Sequence, residues 1–109
     1  MSHGVGMPAW MHLHLFASVV MDAFGYAPVL VGSAAVGKDW RDVDVRLVVP
    51  DDWFADEFGV VDSAHPNGER WTAMCMAFSS LGKQMTGLPV DFQIQPESLA
   101  INGPRVALW

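Results

Sequence analysis

Two aspartates separated by one valine, Asp42-Val43-Asp44, open an otherwise apolar stretch, and a Gly32-Ser33 pair stands shortly before them. In a strand, residues i and i+2 lie about 6.5–7 Å apart with side chains on the same face, so these carboxylates can converge on one hard cation or a pair of them. An unpaired charge in buried β-structure costs several kcal/mol to desolvate, which points to a bound cation. Asp91 sits in a similar setting near the other end of the chain and can supply a third carboxylate. Gly32 lets backbone N–H groups approach phosphate oxygens, and the Ser33 hydroxyl adds a donor. Arg46, on the same face as the two acids, can either contact a triphosphate or act as their salt-bridge partner. Lys38, in the loop after Ser33, is a further candidate for phosphate. The bland alternatives are solvent-facing strand acids, a helix-capping serine and a solvated lysine.

The elements that must position these groups follow from periodicity. Residues 8–24 carry Trp10, Leu13, Ala17, Met21 and Phe24 on one face at helical spacing, with Pro8 near the start and Gly25 as the stop. Residues 28–32 form a short Val/Leu strand that ends in glycine. Residues 33–41 supply one helical turn at most, because Gly37 limits it. Over residues 42–49, Val43, Val45, Leu47 and Val49 share one strand face and leave Asp42, Asp44 and Arg46 on the other. Asp51 or Asp52 can cap a short helix that Gly59 closes. Residues 60–68 read as a loop, 69–86 as a helix with Gly87 at its C-terminus, and 89–95 as a third strand that presents Asp91, Gln93 and Gln95 on one face. The tail after Pro96 packs through Leu99, Ile101, Leu108 and Trp109. This order predicts an α/β (α+β) fold: a small mixed β-sheet of three to four strands flanked by helices, covered mainly on one face.

Composition bounds what such a domain can do. With 109 residues, residues 1–109 are expected to form one domain with a real core, and five Trp and six Phe are available to fill it. The surplus of Trp and Met leaves room for an exposed apolar patch, which would be a protein-partner or homo-oligomer interface. A net charge of −6 repels long nucleic acid, whereas divalent metal can reconcile an acidic cleft with a nucleoside triphosphate. The run over residues 7–24 has no basic segment before it and is broken by His12, His14 and Asp22, so neither a signal peptide nor a membrane span is expected. The single cysteine, Cys75, fits a cytoplasmic, reducing setting and reads as a buried core thiol. His12 and His14 point about 200° apart on a helix and cannot share an ion.

The segment VGSAAVGKDWRDVDVRLVV resembles the signature of the DNA polymerase β-like nucleotidyltransferase superfamily: hydrophobic-Gly-Ser, a loop, acid-hydrophobic-acid, and a third acid on a later strand. The resemblance spans roughly residues 28–95 and is closest to minimal single-domain members. It implies transfer of a nucleoside monophosphate from a triphosphate such as ATP to a hydroxyl, with Mg²⁺ or Mn²⁺ as cofactor. Carried onto this chain, Gly32 and Ser33 would hold phosphates, Asp42 and Asp44 the metals, and Asp91 the second metal and the acceptor. A protein or small-molecule acceptor suits the acidic surface. The alternative expectation is a weakly active or inactive member kept as a binding or regulatory subunit, as in a toxin–antitoxin pair or an oligomeric module.

Overall fold

A computed structural model describes residues 3–59, 68–100 and 102–108. Helix α1 (Ala9–Phe24) is followed by strand β1 (Val29–Val31), the single turn α2 (Ser33–Val36) and strand β2 (Val43–Val49). Helices α3 (Asp51–Phe58) and α4 (Glu69–Thr86) lead to strand β3 (Val90–Pro96), a 3₁₀ turn (Glu97–Leu99) and a two-residue strand β4 (Val106–Ala107). The sheet order is β3-β2-β1-β4, with β2 and β3 parallel and β1 antiparallel to both β2 and β4. The expected mixed sheet flanked by helices is therefore the observed fold.

Alternation makes the sheet two-faced. Val43, Val45, Leu47 and Val49 of β2, Val90, Phe92 and Ile94 of β3, and Leu30 of β1 are buried. They pack against Leu13, Phe16, Ala17 and Val20 of α1, Phe54 of α3 and Cys75 of α4 in one core. Phe16 and Phe24 of α1 and Phe78 of α4 surround Phe92, at ring-centroid distances of 6.1, 6.5 and 5.5 Å. The opposite face of β2 and β3, with Asp44, Arg46, Asp91, Gln93 and Gln95, is half-buried.

Helix ends follow their glycines. Gly25 (φ 79°) and Gly87 (φ 72°) close α1 and α4 in left-handed geometry, each donating its N–H four residues back. Gly82 lies inside α4 because the helix crosses the sheet closely there: a Cβ would stand 2.8 Å from Val90 Cγ1 and 3.2 Å from Phe16 Cζ.

Two expectations change. Asp51 and Asp52 occupy the first turn of α3, whose N-cap is Pro50 with no side-chain cap bond. Asp51 Oδ1 instead accepts the N–H of Ser98 at 3.0 Å, tying the 3₁₀ turn back to α3 and holding the Asp51 carboxyl below its usual range. The tail also contributes a strand, since Leu30 pairs with Val106 and Val29 with Ala107. Two residues are too few for alternation to signal, so this strand exists by pairing alone. The loop expected over 60–68 lies outside the described residues except for Gly68, as do His65, Ile101 and Trp109. No helix among the described residues is long and apolar enough to cross a membrane.

Candidate functional site

The sheet register assembles the site. Parallel pairing sets Asp44 of β2 directly beside Asp91 of β3, and antiparallel pairing sets Val31 of β1 beside Asp44. Val31, Asp44 and Asp91 thus form a row across three strands about 4.8 Å apart, and Gly32 follows Val31 at the end of β1. Asp42 is the residue before β2 begins and is exposed. It is close enough to act on the charge of Asp44.

Gly32 is held at φ 71°, a region that side-chain-bearing residues avoid. Its missing Cβ matters as much as its backbone, because a Cβ there would collide with Asp44 Oδ2. The carboxylate therefore packs directly on the glycine backbone. Ser33 opens α2 beside it and is exposed. The loop that follows is fastened from the N-terminal segment: the Gly4 N–H donates to Ala34 O at 2.8 Å, and Trp40 Nε1 donates to Gly4 O at 2.9 Å.

Arg46 lies between the two paired acids. Its Nη2 is 3.6 Å from Asp44 Oδ1 and 3.3 Å from Asp91 Oδ2. Its Nη1 donates to the backbone oxygens of Asp91 at 2.6 Å and Val45 at 3.1 Å. The side chain is 11% exposed, against 27% for Asp44 and 45% for Asp91. Burial pushes the Asp44 carboxyl above its usual range; Arg46 opposes this, and the charges of Asp91 and Asp42 add to it. The site therefore brings three carboxylates near one guanidinium, which pairs with two of them. Among the described residues, no group of three or more His, Cys, Asp or Glu side chains is placed to hold a metal ion.

A cleft of about 410 Å³ opens beside this row, within the size range of small-molecule sites. Gly32, Ser33, Asp44, Arg46 and Gln95 line it together with the apolar Val31, Val36 and Val48. The segment from Asn102 to Arg105, which leads into β4, also lines it. The sequence gives no warning of this segment, because an Asn-Gly-Pro-Arg run reads only as a turn and Gly32 and Ser33 are about 70 residues away. Lys38 is exposed and outside the lining, so the structure does not bring it to the cleft. Asp91 borders a second groove, of about 420 Å³, between β3 and the outer side of α4.

The histidines go elsewhere. His14 Nδ1 is 2.8 Å from the carbonyl of Leu108, and His3 stacks on Trp10 with ring centroids 3.7 Å apart. Cys75 is buried, as its apolar setting implies, and burial pushes its thiol up to about 11. No family model, curated protein or solved structure matches the chain.

Proposed function

We propose that the chain is a minimal metal-dependent nucleotidyltransferase that moves a nucleoside monophosphate from a nucleoside triphosphate to a hydroxyl of a protein or small molecule. One observation carries the reading: strand register sets Asp44 beside Asp91, and the Asp44 carboxylate is seated where a Cβ of Gly32 would be. A coincidental scatter of acids has no reason to produce that arrangement. The sequence resemblance to the DNA polymerase β-like superfamily names the same residues.

In this reading Asp42 and Asp44 hold Mg²⁺ or Mn²⁺. When bound, the metal neutralises phosphate charge and polarises the phosphorus under attack. Gly32 and Ser33 receive the phosphates in the cleft, and Val31, Val36 and Val48 offer apolar surface to the base. Asp91 accepts the proton of the attacking hydroxyl while the new oxygen–Pα bond forms, the Pα–O bond to the β-phosphate breaks and pyrophosphate leaves. A cytoplasmic setting accords with a single buried thiol.

Calorimetry with a non-hydrolysable ATP analogue and Mn²⁺ tests the reading. Binding should need both components and disappear in Asp44→Asn. Absence of heat at millimolar ligand with the native chain removes the proposal.

A second reading, a binding or regulatory subunit, draws on Met7, Met11, Leu15 and Val19. These residues recur every four positions along α1 and its approach and stay 67, 56, 54 and 38% exposed. The double variant Asp42→Asn/Asp44→Asn separates the two, since a binding subunit keeps its cellular activity and an enzyme loses it.

A further inference from the structure

Helix α1 turns an apolar face to solvent, and the order of residues along it gives that face a centre. At 3.6 residues per turn, Pro8 and Asp22 stand within about 20° of Leu15 around the helix, Met11 and Val19 within about 40°, and His12 and Ser18 within about 60°. All of these are exposed except the half-buried Ser18. Leu15 is the midpoint: Met11 and Val19 lie four residues to either side of it, and Pro8 and Asp22 seven.

Charge points to what covers this face. Asp22 is the only Asp, Glu, Lys or Arg in the first 37 residues, so the other eleven of the twelve acids and all six basic residues come later in the chain. Two copies of a chain with a net charge of −6 repel each other as a whole, and a nearly uncharged apolar helix is where they can meet at least cost. A basic partner would be drawn to the acids elsewhere.

We propose that α1 pairs with α1 of a second copy, antiparallel across a two-fold axis that passes through Leu15. In that register Leu15 meets Leu15, and Met11 of each copy meets Val19 of the other. Asp22 of each copy comes to Pro8, at the start of the other α1. That start has no acid in its first turn and no side-chain cap bond, so a carboxylate arriving there complements the positive end of the helix. A parallel pairing would instead set the two Asp22 carboxylates against each other. The face is one helix of 16 residues, about 24 Å long, and each copy already buries its own core, so the dimer is a small, reversible one. No residue of the cleft takes part, and the pairing stands or falls independently of the transferase reading.

Sedimentation equilibrium of the full chain over a concentration series tests the proposal, together with crosslinking under mild oxidant. The native mass is expected to rise from one chain toward twice that. Leu15→Asp should stay at one chain throughout, whereas Met76→Asp, at an exposed methionine of α4, should associate like the native chain. Asp22→Lys should associate roughly tenfold more weakly, although it lowers the net negative charge, because two helix-end contacts per dimer change sign. Leu15→Cys should form an interchain disulfide, since residue 15 meets its own copy on the axis, while the buried Cys75 does not. A native chain that keeps the mass of one chain at every concentration overturns the proposal, and binding of α1 to lipid vesicles or to a different protein would then name another occupant. Doubling that persists in Leu15→Asp, undiminished association of Asp22→Lys, or absence of the disulfide in Leu15→Cys overturns it as well.

Discussion

Asp44 is the residue on which the site turns, and its environment works against its charge. Burial raises its carboxyl, Arg46 opposes this, and the Asp91 and Asp42 charges add to the rise, so the net shift is upward. A carboxyl with a raised folded-state pKa contributes stability that is present below its ordinary value and lost as pH rises through the folded value. The metal-free protein should thus lose some stability between those two points, and divalent metal should restore it. Thermal melts from about pH 4 to pH 7 are expected to show a Mg²⁺-dependent rise in Tm that is largest near neutrality and vanishes in acid. Asp44→Asn should abolish that pH dependence. Gly32→Ala is expected to do harm twice over, through backbone strain of roughly 1–3 kcal/mol and through eviction of the Asp44 carboxylate. A fall in Tm together with lost Mn²⁺ binding would bear that out; an alanine variant that binds Mn²⁺ normally would not. Cys75, with its thiol raised to about 11 by burial, should react slowly with a disulfide reagent at neutral pH until the protein is unfolded.

At the scale of elements, α4 and β3 are joined more closely than hydrophobic packing requires. β3 is an edge strand, and the backbone groups it turns outward would ordinarily invite another strand. Ser79 Oγ accepts the Phe92 N–H at 2.8 Å and donates to Phe92 O at 3.3 Å, while Trp71 Nε1 donates to Ile94 O at 2.7 Å. Ser79→Ala should cost about 1–3 kcal/mol by leaving a part-buried N–H unsatisfied, and should raise the tendency to aggregate, read by denaturant melts and light scattering. Gly82→Ala trades a helix-propensity gain of about 1 kcal/mol against overpacking of roughly 1–3 kcal/mol on Val90 and Phe16, and is expected to be net destabilising.

These elements also show what a sequence exposes and what it hides. The helix over 69–86 and the alternation in β2 and β3 were legible because each buries one continuous face. Asp42, Asp44 and Asp91 were legible as acids at matching points of that alternation. Their adjacency was not, since it depends on which strands pair and in what register. Arg46 was readable either as phosphate ligand or as salt-bridge partner, and only the paired strands show it bridging both acids while also lining the cleft. Lys38 falls on the side of the solvated lysine that the sequence also allowed. Proximity in sequence to Ser33 suggested a shared role, yet the turn of α2 and the loop after it leave the lysine in solvent.

Over the whole molecule, the sheet divides labour between its faces. Helices and aromatic rings occupy one face, which frees the other for polar groups that line an open cleft. That cleft is built from both ends of the described chain. β1, α2 and the 102–105 segment all line it, while Gly4 fastens the loop that follows Ser33. A substitution at Gly4 reaches the site from a distance, because a Cβ there would run into the carbonyl oxygen of Gly37.

The clasp at Gly4 has a thermodynamic meaning for ligand binding. A glycine- and alanine-rich loop of this kind would ordinarily be ordered by its ligand, at roughly 1–2 kcal/mol of lost backbone entropy per residue fixed. Here Gly4 and Trp40 hold the loop in place in the folded chain, so that freedom is surrendered during folding and not at the moment of encounter. Association should be fast and need little rearrangement.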